Sequence, residues 1–167
     1  MHVYLKQEFM SLHNTYFIYA ASEEQEYSID ESNFSLGHKL KITREGKVVA
    51  KVEQSFLGLK PNFTLIDVAN SQNYQLRRAG KIEDGYYIIE GLNWQTGGDI
   101  IGLNYAIMDD SGGQVASVSL RETPIGEALD IYIVNPKDTL MSIAAVVAIN
   151  ADRKDQRSKS INPEKYA

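Results

Sequence analysis

Cysteine is absent from this 167-residue sequence, and histidine, proline and tryptophan are scarce. The absence of cysteine excludes disulfides, thiol nucleophiles and thiolate metal sites. The three histidines show no spacing that places two of them on one face, so we predict no metal site and no cofactor. The sequence also lacks a G-x-S-x-G elbow and a Gly-rich phosphate-binding loop, which leaves common enzyme chemistries without a motif.

The sequence also has fewer basic than acidic residues. The formal net charge is -5, whereas domains that bind nucleic acid over their whole surface are usually basic, so no nucleic-acid partner is expected. The first residues, MHVYLKQEFMSLHN, lack the basic start and apolar run of a secretory signal, which favours a cytoplasmic location.

The length suits one domain. We assign residues 1–157 to that domain and residues 158–167 to a flexible tail.

Short segments with alternating apolar and polar residues run from Val3 to Val134. They are rich in aromatic and β-branched residues, which is typical of half-buried strands. REGK (44–47), DVANSQN (67–73) and DDSGGQ (109–114) offer turn residues between them and predict antiparallel hairpins. The predicted strands are residues 16–19, 27–30, 40–43, 48–52, 63–67, 74–77, 86–90, 105–109, 115–120 and 129–134.

A repeated phrase introduces three successive hairpins. FMSLHNTYFI begins at Phe9, FSLGHKLKI at Phe34 and FLGLKPNFTL at Phe56, with spacings of 25 and 22 residues. A repeated hairpin cannot bury its own apolar face, so the repeats predict one continuous sheet or barrel. NWQTGGDIIGLNYAI (93–107) is a degenerate later copy that contains the sole tryptophan, Trp94. We favour a core role for Trp94 over an aromatic wall for a ligand.

The hydrophobic period changes after Val134. Asn135 or Asp138 can cap a helix, and Pro136 is acceptable in a first turn. Residues 140–151 contain only two polar residues, so the helix is apolar around nearly its whole circumference and must be surrounded by apolar groups.

This apolar segment is too short to span a bilayer. A transmembrane helix needs about 20 apolar residues, and this run offers about a dozen before Asp152. Small residues, such as Ala144 and Ala148, would fit the limited space along the axis of a barrel. The sequence therefore predicts no transmembrane segment and a central barrel helix over about residues 138–155. Its predicted core residues are Leu140, Ile143, Ala144, Val146, Val147 and Ile149.

The order of these elements resembles the LURP-one-related family, a relative of tubby C-terminal domains and phospholipid scramblases. LKQEFMSL (5–12), FSLGHKLKI (34–42) and the apolar helix that follows DIYIV (130–134) carry the resemblance, which spans about residues 5–157 and is greatest to small bacterial single-domain members. It implies a fold that is mainly β, a closed antiparallel barrel of about twelve strands enclosing a hydrophobic C-terminal helix. Tubby domains bind phosphoinositide headgroups through basic clusters, whereas scramblases carry acylated cysteines that this sequence lacks.

Charge is unevenly distributed between two neighbouring hairpins. Residues 37–60 contain six basic residues against two acidic ones, and residues 22–32 contain five acidic residues and no basic one. Two readings stay open: a solvated barrel exterior with cross-strand ion pairs, or a face that binds an anionic ligand. Strand periodicity places the first two lysines on one face, and the turn extends that face. The candidate binding residues are Lys39, Lys41, Arg44 and Lys47.

Three functional hypotheses follow. The first is a non-enzymatic barrel that binds anionic phospholipid headgroups or another anionic ligand through this basic face. The second is a protein-interaction scaffold that docks another protein or a second copy of the chain. The third is an enzyme with a site near Trp94 that uses Asp99 and Asp109. A further basic group past the helix could assist anion binding; it consists of Arg153, Lys154, Arg157 and Lys159.

Overall fold

A closed β-barrel with one helix inside it forms this protein. The computed structural model describes residues 1–7, 15–32, 36–55, 61–84 and 86–161. Twelve antiparallel strands follow one another around the barrel in chain order, which confirms the predicted fold class. The strands are β1 (His2–Gln7), β2 (Thr15–Ala20), β3 (Gln25–Glu31), β4 (Lys39–Arg44), β5 (Lys47–Ser55), β6 (Asn62–Asp67), β7 (Gln72–Arg78), β8 (Tyr87–Glu90), β9 (Trp94–Asp99), β10 (Asn104–Met108), β11 (Gln114–Thr123) and β12 (Gly126–Ile133).

Alternation of side chains explains why these segments form barrel strands. In β4, Leu40 and Ile42 are buried in the core, while Lys39 and Lys41 are exposed. Most of the other strands repeat this pattern, whereas β12 buries four consecutive residues (128–131), and the inner residues of the strands form one cluster with the helix. Ten of the twelve strands were predicted. The sequence analysis missed β1 and β9, and β9 contains two consecutive glycines that weaken its strand pattern.

Pairing of the first strand with the last closes the barrel. β1 pairs with β12 from His2↔Tyr132 to Leu5↔Leu129, and it pairs with β2 on its other side. The N-terminal ammonium group also donates a hydrogen bond to the carbonyl oxygen of Ile133, at 2.7 Å. Closure gives each of the strands in the described ranges two neighbours, so none of these strands is left at an open edge of the sheet.

The connections between strands lie at two ends of the barrel. At the start end, where the helix begins, lie the connections β2–β3, β4–β5, β6–β7, β8–β9 and β10–β11. The ends of the remaining consecutive strands lie at the opposite end, the exit end, where the helix leaves. The three repeated phrases begin at residues 9, 34 and 56, and these three residues lie outside the described residues. The strands that precede the phrases, β1, β3 and β5, end at the exit end.

The predicted hairpin turns are confirmed at the start end. Arg44 pairs with Lys47 across a two-residue turn in which Glu45 and Gly46 have φ angles of 50° and 76°. Two consecutive positive φ angles define the type I′ turn, whose twist matches that of the flanking strands. In the β10–β11 turn, the Asp109 carboxylate accepts hydrogen bonds from the backbone N–H groups of Ser111 and Gly113, at 3.0 and 2.8 Å.

The helix begins as predicted but ends later. Asn135 caps a 3₁₀ turn, Pro136–Asp138, by accepting a hydrogen bond from the Lys137 N–H at 3.2 Å. α1 (Thr139–Ile161) follows directly and continues past residue 155. It extends because side chains after Asp152 contact the barrel and because this stretch is rich in good helix formers. Residues 162–167 of the predicted tail lie outside the described residues.

The first half of α1 lies in the barrel core. Every residue from 141 to 149 is buried, which includes the predicted core residues of that range, while Leu140 is half-buried against the core. The alanines at 144, 145 and 148 are fully inaccessible to solvent, which shows how closely the strands approach the helix axis. Among the described residues, no helix is both long and apolar enough to cross a membrane.

Candidate functional site

A cavity of about 330 Å³ opens beside α1 at the exit end of the barrel. Its inner lining is apolar, and its rim carries polar and charged groups. Such a combination of an apolar interior with a few convergent polar groups is typical of small-ligand sites. The apolar lining consists of Leu5, Leu40, Val147 and Ala151, and the polar lining consists of Tyr16, Glu31, His38, Asn150 and Lys154.

His38 links the β3–β4 connection to the helix. Its Nδ1 atom contacts the Glu31 carboxylate, and its Nε2 atom lies 2.9 and 3.0 Å from the two carboxylate oxygens of Asp155. These hydrogen bonds, first that to Asp155 and then that to Glu31, raise the pKa of His38 to about 10, although burial acts in the opposite direction. His38 is therefore a cation at neutral pH, and it is shared between two carboxylates.

Lys154 and Tyr16 form the second polar pair of the rim. The Lys154 ammonium group donates to the Tyr16 hydroxyl oxygen at 2.6 Å and lies 4.6 Å from the centre of the ring. Burial lowers the pKa of Lys154, and it raises the pKa of Tyr16 to about 12. Tyr16 is therefore neutral at physiological pH and keeps a hydroxyl hydrogen that it can donate.

A buried acid anchors α1 where it leaves the barrel. The Tyr87 hydroxyl donates to Asp152 Oδ2 at 2.5 Å, and Arg78 Nε lies 3.1 Å from the same oxygen. The Arg78 N–H is not aligned for a hydrogen bond, so this contact acts as an ion pair. Because the Asp152 side chain is 1% exposed, the pair places a charged anchor in the core and fixes the position of the neighbouring cavity residues on α1.

The predicted basic residues of β4 face solvent among acidic neighbours. Lys41 lies opposite Asp30 on one side and Lys51 on the other, and Lys39 lies opposite Glu53. These five residues line one shallow groove on the outside of the barrel. The structure therefore places Lys39 and Lys41 side by side, as expected from strand periodicity, and it places carboxylates beside them.

Arg44 and Lys47 lie at the start end, on either side of the β4–β5 turn. Both are exposed, and the Arg44 guanidinium carbon lies 5.4 Å from the centre of the Tyr27 ring. Acidic residues line the groove beside Arg44, including Glu24 and Glu26. The four candidate residues thus extend along one hairpin from end to end and do not converge on a single pocket.

The second basic group divides between two places. Lys154 lines the cavity, whereas Arg153, Arg157 and Lys159 line a separate groove of about 410 Å³ together with Ile101. Arg153 Nε donates to the Ile101 carbonyl at 3.0 Å, and burial together with the charge of Arg157 lowers the pKa of Arg153. Glu83 also lines this groove at the exit end, and the Ile101 side chain is partly exposed, so the groove combines three basic groups, one acidic group and apolar surface.

The residues of the enzyme hypothesis are not brought together. Trp94 is 6% exposed and belongs to the core, which confirms the structural reading of this residue. Asp99 accepts a hydrogen bond from the Gly102 N–H at 2.8 Å and forms a turn at the exit end. Asp109 forms the β10–β11 turn at the start end, so the two carboxylates lie at opposite ends of the barrel.

The histidines do not form a metal centre within the described part of the chain. No group of three or more His, Asp or Glu side chains there could hold a metal ion. His2 Nδ1 lies 2.8 Å from Asp130 Oδ1, and Arg121 contacts the same carboxylate. His13 lies outside the described residues.

Sequence reasoning did not find the cavity at the exit end. Its rim joins residues that are distant in the chain, such as His38 and Asp155, which are 117 positions apart. One local signal was present, because Asn150 is one of only two polar residues, with Ser142, in an apolar helical run. A polar side chain on a buried helix needs a polar partner or water, so Asn150 indicates that the barrel interior near it is not entirely apolar.

Comparisons with known proteins identify two chains that are similar to this one over most of their length. No model of a known protein family matches the sequence. An uncharacterised protein of Bacillus subtilis (strain 168), YxjI, is 23% identical over 160 residues, which cover 95% of this chain and 98% of YxjI. The X-ray structure of the Arabidopsis thaliana protein AT5G01750 superposes with a TM-score of 0.60 at 10% identity, covering 89% of this chain and 90% of that one. The structural similarity establishes a shared fold.

Proposed function

We propose that this chain is a non-enzymatic binding module that associates with anionic phospholipid headgroups through the outside of the β4–β5 hairpin. One observation carries the proposal: Lys39, Lys41, Arg44 and Lys47 are all exposed on this single hairpin. A basic side chain close to an anionic membrane surface contributes roughly 1 kcal/mol to binding. Four of them on one hairpin support association with such a surface.

The neighbouring carboxylates limit the strength of this association. Asp30 and Glu53 lie directly opposite two of the lysines, while Lys51 adds a further positive charge. Attraction between exposed charges is screened by salt over about 10 Å at 0.1 M ionic strength. The proposed binding is therefore weak and salt-sensitive.

The basic groove at the exit end supports the same proposal. Arg153, Arg157 and Lys159 lie there beside the partly exposed side chain of Ile101. A basic and apolar surface suits the interface between headgroups and acyl chains, where both kinds of group find partners. This groove provides a second contact, which can be tested separately from the hairpin.

Sedimentation with vesicles provides the test. We expect the protein to sediment with vesicles that contain phosphatidylserine or phosphoinositide at low salt, and to stay in the supernatant with phosphatidylcholine vesicles or at high salt. Reversing all four charges, Lys39→Glu, Lys41→Glu, Arg44→Glu and Lys47→Glu, should abolish sedimentation. Absence of binding by the unmodified protein would contradict the proposal.

A pair of double variants controls for net charge. Lys39→Glu with Lys41→Glu should weaken vesicle binding by roughly 30-fold, since about 1 kcal/mol is lost for each base. Lys81→Glu with Lys137→Glu changes net charge equally at exposed positions outside the hairpin. If both double variants weaken binding to the same extent, the hairpin is not the binding face.

We also propose that the chain is a member of the LURP-one-related family and acts in the cytoplasm. The shared barrel fold of the Arabidopsis thaliana protein and the full-length similarity to YxjI support a common architecture. The family assignment rests further on the order of the sequence phrases that lead into the strands. Fluorescence microscopy of the tagged chain in its own cell would test the location.

A further inference from the structure

We infer that the exit-end cavity binds a small uncharged amphipathic molecule, with a hydroxyl group at the polar rim and a short hydrocarbon chain against the apolar lining. This is a different site from the outer hairpin of the proposed function, and it takes a single small molecule in place of a membrane surface. The groups that would bond to the hydroxyl are Tyr16 and Asn150, and those that would contact the chain are Leu5, Leu40 and Val147.

The shape of the cavity sets the size of the ligand. Its volume of about 330 Å³ lies at the lower end of the range found for ligand pockets, which begins near 300 Å³. The lining changes from aliphatic side chains of β1, β4 and α1 to polar groups at the rim. A molecule with one polar end and a short apolar chain matches both properties.

The charged groups of the rim compensate one another, which favours a ligand without charge. The Glu31 and Asp155 carboxylates both bind His38, which is protonated because its pKa is raised to about 10. The Lys154 ammonium group donates to Tyr16; burial lowers its pKa, and the charge of Glu31 acts in the opposite direction. The described rim residues thus carry two positive and two negative charges. A charged ligand of either sign would lie there without a counterion, partly removed from water, which is costly.

Two neutral groups of the rim have hydrogen-bonding capacity to spare. The Tyr16 hydroxyl oxygen accepts from Lys154, and within the described ranges its own hydrogen has no acceptor. The Asn150 side chain is half-buried and makes no hydrogen bond to any described residue, although its amide offers both donors and an acceptor. A ligand hydroxyl can accept from Tyr16 and donate to the Asn150 carbonyl oxygen, so it would satisfy both groups.

Methyl-detected NMR of the full chain, titrated with 1-octanol below its solubility limit, tests the inference without any mutation. We expect saturable shifts of the methyl groups that line the cavity, those of Leu5, Leu40, Val147 and Ala151. Octanoate and octylammonium have the same chain length and opposite charges. Each should bind at least about tenfold more weakly than octanol, because each places an uncompensated charge at the rim.

An isomer of octanol tests the role of the hydroxyl hydrogen. 1-Methoxyheptane has an ether oxygen, which can accept from Tyr16 but cannot donate to Asn150, and it should bind severalfold more weakly than octanol. In Asn150→Leu this preference for octanol should disappear, whereas Ser158→Leu, at an exposed position of the same helix, should keep it. Tyr16→Phe should weaken the binding of both compounds, since both accept from the Tyr16 hydroxyl.

Three results would overturn the inference: no saturable shifts with octanol, shifts that map outside the cavity, or binding of octanoate or octylammonium as tight as that of octanol. Equal binding of octanol and 1-methoxyheptane by the unmodified protein would overturn the hydroxyl assignment. These results require no variant, so they decide the question even if Asn150→Leu does not fold. Octanol binding should not change with salt or in the four-charge hairpin variant, whereas vesicle binding should depend on both, so failure of one proposal leaves the other standing.

Discussion

At the scale of single residues, His38 carries a distinct pH signature. Its pKa rises from 6.5 in the unfolded chain to about 10 in the folded protein, chiefly through its hydrogen bonds to Asp155 and Glu31. A raised pKa stabilises the fold below pH 6.5, and this stabilisation is lost progressively as the pH rises towards 10. We therefore expect His38→Gln to reduce the free energy of unfolding more at pH 6 than at pH 9, as measured by urea denaturation.

His2→Gln provides the control for this prediction. His2 also contacts a carboxylate, that of Asp130, but Arg121 contacts the same carboxylate, and burial together with the Arg121 charge lowers the pKa of His2. A lowered pKa gives no stabilisation that is lost with rising pH. If the free energy of unfolding of the two variants depends on pH in the same way, the Glu31 and Asp155 carboxylates do not stabilise the fold by binding a protonated His38.

At the scale of elements, α1 has two halves with different roles. Its first half is the core of the barrel, and its second half supplies Asp152, Lys154 and Asp155 to contacts at the exit end. The two halves follow from composition, because apolar residues of small and medium size precede a highly charged segment. The helix thus joins the packing of the interior to the geometry of the cavity.

A charge in the first half of α1 should unfold the protein. Ala145 is fully inaccessible to solvent, and Ala145→Asp would bury a carboxylate without a partner, which costs more than a typical fold can lose. Ser158→Asp introduces the same charge at an exposed position of the same helix and should change stability by about 0.5 kcal/mol at most. Circular dichroism with thermal denaturation measures both; a cooperative transition for Ala145→Asp would contradict this role of the helix.

At the scale of the whole molecule, the barrel and the helix depend on each other. The inner residues of the strands form one cluster with α1, so the strands alone would enclose an empty apolar interior. Such a cavity costs roughly 24 cal/mol per Å³, which exceeds the stability of an ordinary domain when a whole helix is missing. We therefore expect the barrel and the helix to unfold as a single cooperative unit.

Truncation tests this dependence. A chain that ends at residue 137 should show no cooperative unfolding transition and should bind hydrophobic dyes, because its apolar inner faces are uncovered. A chain that ends at residue 161 keeps α1 and should fold. If the chain that ends at residue 137 unfolds cooperatively with native-like strand content, the helix is dispensable and the interpretation of the interior is wrong.

The sequence by itself determined ten of the twelve barrel strands and the central helix. Alternation such as that of Lys39 with Leu40 fixes which side of a strand is buried, and the apolar circumference of residues 140–151 requires an enclosing wall. These are local patterns, which a single segment can specify. The sequence did not specify the β1–β12 closure, and it placed the end of the helix too early.

Only the tertiary structure decided where the polar groups meet. The cavity rim requires the strand register at Tyr16 and His38 and the rotation of α1 at Asn150 and Lys154, four positions with no common local pattern. The carboxylates opposite Lys39 and Lys41 likewise follow from the pairing of three strands. Contacts between distant segments depend on strand register and on packing, and the whole fold determines both. For that reason the architecture could be predicted from the sequence, whereas the candidate site could be found only in the structure.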